Sequence, residues 1–306
     1  MSRGIPARGA SAIILAQHPA LILLGVSMIY GNNSLKNTTE NALNTLKALK
    51  RSYIPVYQGT AKPFCRDHPK WASDVHVDLP KSTIGPNTDQ HAVIAMRDSL
   101  LEQPKGRRLH LMGGYIGGGF MNAPFSHRAG EAGRIGNATM WAEFNAFCDP
   151  EASKANFFNP RLSIKTVLIL LDVTHLVLIK DDVLDLMLNG PSDKKHDSSS
   201  KTKKNFLDHI RVYMTGYRKN HDLDGPPHDP LVVAAILDHE GIEDIGFDYS
   251  GGEHLKIDLI TEGGQLGRPV VTKLPAGQEG VRIPRGLDVP EFWRVLEQAL
   301  SFVEHV

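Results

Sequence analysis

The chain has 306 residues, and its 34 Lys and Arg are matched by 34 Asp and Glu, so the formal net charge is zero. That balance offers no general attraction to nucleic acid or to an anionic membrane, and neither is expected as a partner. Two cysteines, Cys65 and Cys148, are too few for a disulfide framework or a Cys-based zinc site, which fits a reducing, cytoplasmic setting.

From the N-terminus, Arg3 and Arg8 precede apolar residues in the manner of a signal peptide. Gln17-His18-Pro19 divides that apolar run, however, and neither half reaches the roughly 20 residues a membrane-spanning helix needs. The expectation is a short helix end, then a strand at residues 21–29. Residues 38–50 read as a helix with Ala42, Leu43, Leu46 and Leu49 on one side. A short strand at 54–57 follows, then a helix at 91–103 with Thr88 as its N-cap, and a strand at 109–112. The Gly-rich "GGYIGGGF" lacks G-x-G-x-x-G spacing and a Walker Lys-Ser/Thr, so it reads as a flexible loop rather than a phosphate cradle. "KTVLILL" at 165–171 is continuously apolar, as a strand buried on both faces would be. Helices are expected near 181–188, 206–219 and 230–238. Residues 190–205, "GPSDKKHDSSSKTKKN", read as a mobile polar loop. The alternating "HLKIDLITE" suggests a half-exposed strand, and 290–303 a closing amphipathic helix. Alternation of this kind predicts an open, mainly parallel α/β sheet, whose ligands bind beyond the carboxyl ends of the strands.

Three polar clusters fall at such strand ends. In "GNATMWAEFNAFCDPEAS", Asn137, Glu143 and Asn145 are interleaved with Trp141 and Phe144. Amides donate and accept, a carboxylate accepts strongly, and aromatic faces cover apolar surface, a set suited to vicinal hydroxyls of a sugar. The competing reading is a loop whose Asn side chains satisfy their own backbone, with Asp149-Pro150 starting a helix. In "GPPHDPLVVAAILD", Asp229 reads as an N-cap with Pro230 at the first helical position, or else as a hard-metal ligand, with His228 as proton donor or hydroxyl contact. "LLDVTH" places Asp172 and His175 just after the buried strand, and Asn32 in "GNN" also follows a strand.

Taken in order, "YGNNSLKNTTENALNTLKAL", "IPVYQGTAKPF", "MGGYIGGGF", "GNATMWAEFNAFCDPEAS", "LDVTH" and "HDPLVVAAILD" resemble the inosine/uridine-preferring nucleoside hydrolases. The Gly-rich loop and "RIGN..MWAEFN" are most similar to the fungal uridine nucleosidase branch. The resemblance runs from about Ser11 to the C-terminus. It implies one Rossmann-like domain over residues 1–306, with an open, mostly parallel sheet flanked by helices. It implies hydrolysis of the N-glycosidic bond of uridine- or inosine-type ribonucleosides to ribose and free base. A bound Ca²⁺ and assembly of identical chains belong to the same implication. By motif, Asn32, Asn137, Glu143 and Asn145 correspond to ribose contacts, His228 to the leaving-group histidine, and Asp229 to a calcium ligand. Cleavage through an oxocarbenium-like sugar suits these residue types.

Two stretches depart from the family pattern. Family members open with D-x-D-x-G-x-D-D, whereas here no carboxylate precedes Glu40 and Arg8-Gly9 align with the paired acids. Between "LLEQPKG" and "RRLHLMGG" only about six residues stand where a strand, a Thr-Asn turn and a helix need roughly 25–30. The expectation is a sheet short of its first strand and of that later unit, with unpaired edges. The alternative function is then a catalytically impaired nucleoside-binding remnant with doubtful calcium affinity, in which Arg8 pairs with Asp229 in place of the cation.

Overall fold

Apolar runs and capped helices alternate along the chain. In order these are α1 (Pro6–Leu15), β1 (Val26–Met28), α2 (Leu35–Ala48), β2 (Val56–Gln58), α3 (Ala92–Glu102), β3 (Leu109–Met112), α4 (Phe144–Cys148), α5 (Pro150–Phe158), α6 (Pro160–Ser163), β4 (Thr166–Ile169), α7 (Leu171–Thr174), α8 (Asp181–Asn189), α9 (Lys201–His221), α10 (Pro230–His239), β5 (Leu255–Leu259), β6 (Pro269–Lys273) and α11 (Val289–His305). The computed structural model describes residues 6–31, 33–67, 79–103, 108–123, 125–131, 133–191 and 201–305. Asn32 and most of the polar loop expected at 190–205 lie outside the described residues, as does the side chain of Arg8.

Several expected elements change length for local reasons. The strand expected at 21–29 contracts to β1, because only Val26 to Met28 find ladder partners, in Val56 to Gln58. Ile22 and Leu24 before it are solvent-exposed. The cap of α3 is His91, whose Nδ1 accepts from Val93 N at 3.3 Å, not Thr88. The run expected as one strand at 165–171 stops at Ile169, and Leu171 instead opens α7. Strand β6 escapes the alternation rule: it begins with a proline, tolerated at the first position of a strand, and pairs antiparallel with β5.

The ladders form two half-sheets. In the first, β1 pairs in parallel with β2, and a bridge from Tyr57 to Asn87 extends it. In the second, β3 pairs in parallel with β4, and single bridges Val167–Arg282 and Leu255–Val281 carry the network on to β5 and β6. Among the described residues no ladder joins β1 to β3.

The core divides as unequally as the sheet. β4 is buried at every position and sits in one large cluster with side chains of α1, α8, α9, α10 and α11. The first half-sheet rests on a satellite of four buried residues, Ala42, Leu46, Ile54 and Val56. Burial at about 25 cal/mol per Å² makes the larger cluster the dominant stabiliser, so local opening free energy should fall from β4 towards β1. Native-state hydrogen exchange is therefore expected to release the amides of β1 and β2 well before those of β4. Equal protection of the two half-sheets would contradict this unequal division.

Candidate functional site

The parallel strands β3 and β4 end side by side, and the backbone there is fixed by two buried carboxylates. Gly113 N donates to Ile169 O at 3.1 Å and Leu171 N to Gly114 O at 2.9 Å, which ties the start of the Gly-rich loop to the end of β4. Glu143, 2% exposed, accepts from Gly114 N at 2.8 Å and Ala146 N at 3.1 Å through Oε2. Asp172, 1% exposed, accepts from Ile116 N at 2.8 Å and Gly117 N at 2.9 Å, one bond on each oxygen. Farther on, the Arg285 guanidinium donates to Phe120 O at 2.7 Å and lies over the Phe120 ring. "GGYIGGGF" is thus a clamped loop and not the flexible one expected. Gly114 takes φ +79°, a conformation that favours glycine.

Glu143 is also the N-cap of α4. Asn137 Oδ1 accepts from Phe144 N at 2.8 Å, so Asn137 and Glu143 hold the backbone on either side of Asn145. The turn that brings them together closes on Gly136, where a Cβ would lie 2.2 Å from Ala142 O. Asn145 itself is exposed, and its amide lies 3.3 Å from Met112 Sδ. At the head of α10, Asp229 occupies the N-cap position but makes no side-chain capping bond. The neighbouring ring of His228 is fully buried, with Nδ1 2.7 Å from Thr174 Oγ1.

A cavity of about 530 Å³ opens beside these residues. Four consecutive residues of β1 and its flank, Val26 to Ile29, line it, so it meets the edge of the strand and not one face. α1 and α2 supply part of its wall through Ala10, Ile13, Asn41 and Ala42, and α4 and α5 supply Phe144, Asn145, Ser153 and Asn156. Asp229 completes the set. The volume lies in the range of small-molecule sites.

Among the expected site residues, the structure therefore brings Asn145 and Asp229 to one cavity. Asn137, Glu143 and His228 do not appear on its described wall, and each instead bonds the surrounding scaffold. Asp172 and His175 are scaffold as well, since His175 Nε2 is 2.7 Å from Tyr217 OH. Residue patterns gave no warning of the buried aromatic nest of Tyr115, Phe125, His175, Tyr217 and His221 beneath the loop. Its one available signal is Tyr213, Tyr217 and His221 at four-residue spacing, which reads equally well as helix core.

Calcium takes six to eight oxygens. The described carboxylates of the cavity wall are Asp149 and Asp229. Asp149 accepts from Phe64 N at 2.8 Å and Ala152 N at 3.1 Å, and Tyr30 OH donates to it at 3.4 Å. No group of three or more His, Cys, Asp or Glu among the described residues could hold a metal ion. These residues do not fit the calcium site that the resemblance implies, and no step is derived through one.

The sequence matches the family model described as inosine-uridine preferring nucleoside hydrolase over residues 9–106 and 81–294. It is 28% identical to the uridine nucleosidase of Saccharomyces cerevisiae, over 95% of this chain and 92% of the yeast protein. Identity to the pyrimidine-specific ribonucleoside hydrolase RihB of Escherichia coli is 27%, over 95% of this chain and 93% of that one. The fold superimposes on a purine-preferring ribonucleoside hydrolase from Gardnerella vaginalis with a TM-score of 0.74 at 21% identity, covering 99% of this chain and 97% of that one. A plant nucleoside hydrolase gives a TM-score of 0.70 at 19% identity, covering 98% and 96%. At these identities the two solved structures show the fold alone.

Burial pushes the Asp172 carboxyl up to about 6, against the pull of its backbone hydrogen bonds. Replacing Asp172 with Ala leaves two buried N–H groups without their acceptor and should cost about 2–4 kcal/mol in denaturant unfolding. The folded group holds its proton more tightly than the unfolded one. Its contribution is therefore full below the unfolded carboxylate range and declines as pH rises through about 6. The stability gap between wild type and Asp172→Ala is expected to be larger at pH 5 than at pH 7.5. A gap that grows with pH would contradict the burial-dominated shift.

Proposed function

Because the chain belongs to the inosine-uridine preferring nucleoside hydrolase family, we propose that it cleaves the N-glycosidic bond of a uridine- or inosine-type ribonucleoside bound in the cavity beside β1. The observation that carries this reading is that Asn145 and Asp229, far apart in sequence, line one cavity of nucleoside size. The Asn145 amide both donates to and accepts from ribose hydroxyls. The Asp229 carboxylate accepts from a hydroxyl or a water, and its negative charge favours the oxocarbenium-like ring that forms as the base departs. Contacts that tighten as the ring flattens lower the barrier, whereas contacts equal in both states only lower KM.

Asn137 and Glu143 enter this reading as positioning residues. Their bonds to Phe144 N and Ala146 N fix the turn that presents Asn145. His228 has the same standing, since its bond to Thr174 anchors the backbone immediately before Asp229. A ribose contact from Asn32 stays part of the proposal on its motif alone.

A second reading, nucleoside binding without turnover, is not favoured by the comparisons, whose relatives are named ribonucleoside hydrolases. No helix among the described residues is long and apolar enough to cross a membrane. The low cysteine content supports a cytoplasmic setting.

The test is release of free uracil or hypoxanthine from uridine or inosine, followed chromatographically with and without added CaCl₂, beside calorimetric binding of the same nucleosides. Base release is expected. Asn145→Ala should lower kcat/KM by about 10- to 100-fold, the worth of one or two hydroxyl contacts. Asp229→Asn should lower kcat by about 10²–10⁴. Binding without release would select the second reading, and neither binding nor release would remove both.

A further inference from the structure

At the opposite end of β3 and β4 basic side chains gather, and among the described residues no ion pair joins their arginines to a carboxylate. Arg108 and His110 come from the start of β3. Arg282 sits beside the start of β4, where its backbone N donates to Thr166 O at 3.0 Å and its carbonyl accepts from Leu168 N at 2.9 Å. His239 closes α10. Arg108 Nε donates to His239 Nε2 at 2.8 Å, the His110 and His239 ring centroids are 6.1 Å apart, and the Arg282 guanidinium lies 4.1 Å from the Tyr249 ring centroid.

The charges within this cluster repel one another. Burial is the first cause holding His110 down to about 4, and His239, Arg108 and Arg282 add to it. Burial and then the two arginines also lower His239. Arg282 is depressed by burial, with Arg108 opposing its charge. Arg285 meets Glu253 and Arg294 meets Glu243, whereas Arg51 and Arg268 meet the side chains of Gln17 and Gln265. Among the described residues no ion pair reaches Arg108 or Arg282. The acids beside His239 at the end of α10 are Asp238 and Glu240, whose charges oppose the arginines at its ring, and Asp238 spends Oδ1 on Ile245 N and Gly246 N, both at 2.9 Å. Two buried polar atoms in the cluster, His110 Nε2 and Tyr249 OH, have no hydrogen-bond partner among the described residues.

Partly desolvated guanidinium without a counter-ion is costly, and two such charges are balanced by one dianion, whose several oxygens also take the imidazole and phenol donors. We propose that Arg108, His110, His239, Tyr249 and Arg282 form an oxyanion site for a phosphate dianion, free or as the end of a phosphomonoester, on the side of the sheet away from the nucleoside cavity. The site is independent of the hydrolase reading, and its occupancy places phosphate control within reach of β3 and β4, whose far ends carry the clamped loop.

The test is calorimetric and ³¹P NMR titration of the full chain with inorganic phosphate, at ionic strength held constant with NaCl. Acetate serves as the monoanion control and methyl phosphate as the monoester. One saturable site is expected for phosphate and none for acetate. Preference for methyl phosphate would assign the site to monoesters, and preference for inorganic phosphate to the free ion. Arg108→Gln and Arg282→Gln should each weaken phosphate binding by at least about tenfold. Should either fail to fold by circular dichroism, Arg108→Lys and Arg282→Lys keep the charge but lose the fork, and should weaken it several-fold. Absence of saturable binding overturns the proposal, and so does affinity unchanged in the folded variants. In either of those cases the cluster serves packing alone, through the Arg282–Tyr249 stack and the Arg108–His239 bond.

Discussion

Two buried carboxylates that accept from main-chain N–H groups, Glu143 and Asp172, set the geometry on which the rest depends. A strand end must hand its chain to a loop, and the amides of that loop need acceptors once buried. Here side chains from two different segments supply them. Glu143 binds the loop and the first turn of α4 with one oxygen, so the position of Asn145 follows from the position of β3. Asp172, in the first turn of α7, ties the loop to that helix with one bond on each oxygen. Ionising a carboxyl this deeply buried is unfavourable, as the upward displacement of Asp172 shows, and the bonds to backbone amides only partly offset it.

The unequal core explains where the cavity lies. β4 is surrounded by helices and anchors the second half-sheet, while β1 and β2 rest on four buried side chains. β1, the helices α1 and α2, and the helices α4 and α5 wall the cavity, with Asn145 and Asp229 among its lining residues.

How much of this was legible in the sequence depended on whether the decisive contact was local. β3 reads to the residue because an alternating run sits between turn signals, and α10 reads well because Pro230 marks its first turn. Asn145 and Asp229 stand out in the sequence because their motifs fall at strand ends, and the fold brings both to one cavity wall. Glu143 and Asn137 stand out in the sequence as well, but their bonds to main-chain N–H groups do not, since no side-chain pattern shows them. For the same reason the Gly-rich stretch looked flexible, since its restraints come from residues 143 and 172. β6 was missed because one proline and one exposed edge erase the alternation.

The open edge of β1 bears on the chemistry as well as on stability. An edge presents backbone N–H and C=O groups in a row, and among the described residues β1 has one partner strand. Residues 26–29 line the cavity together with Asn145 and Asp229, and Ile29 O there already accepts from Thr38 Oγ1 at 2.9 Å. An apolar ligand would leave such groups unsatisfied, at a cost comparable to a lost hydrogen bond for each. A ligand rich in hydroxyls can donate to the carbonyls and accept from the amides without any single strong contact. On the proposed reading, the feature that thins the core of the first half-sheet also suits the cavity to a sugar, with Phe144 on the same wall to cover an apolar face.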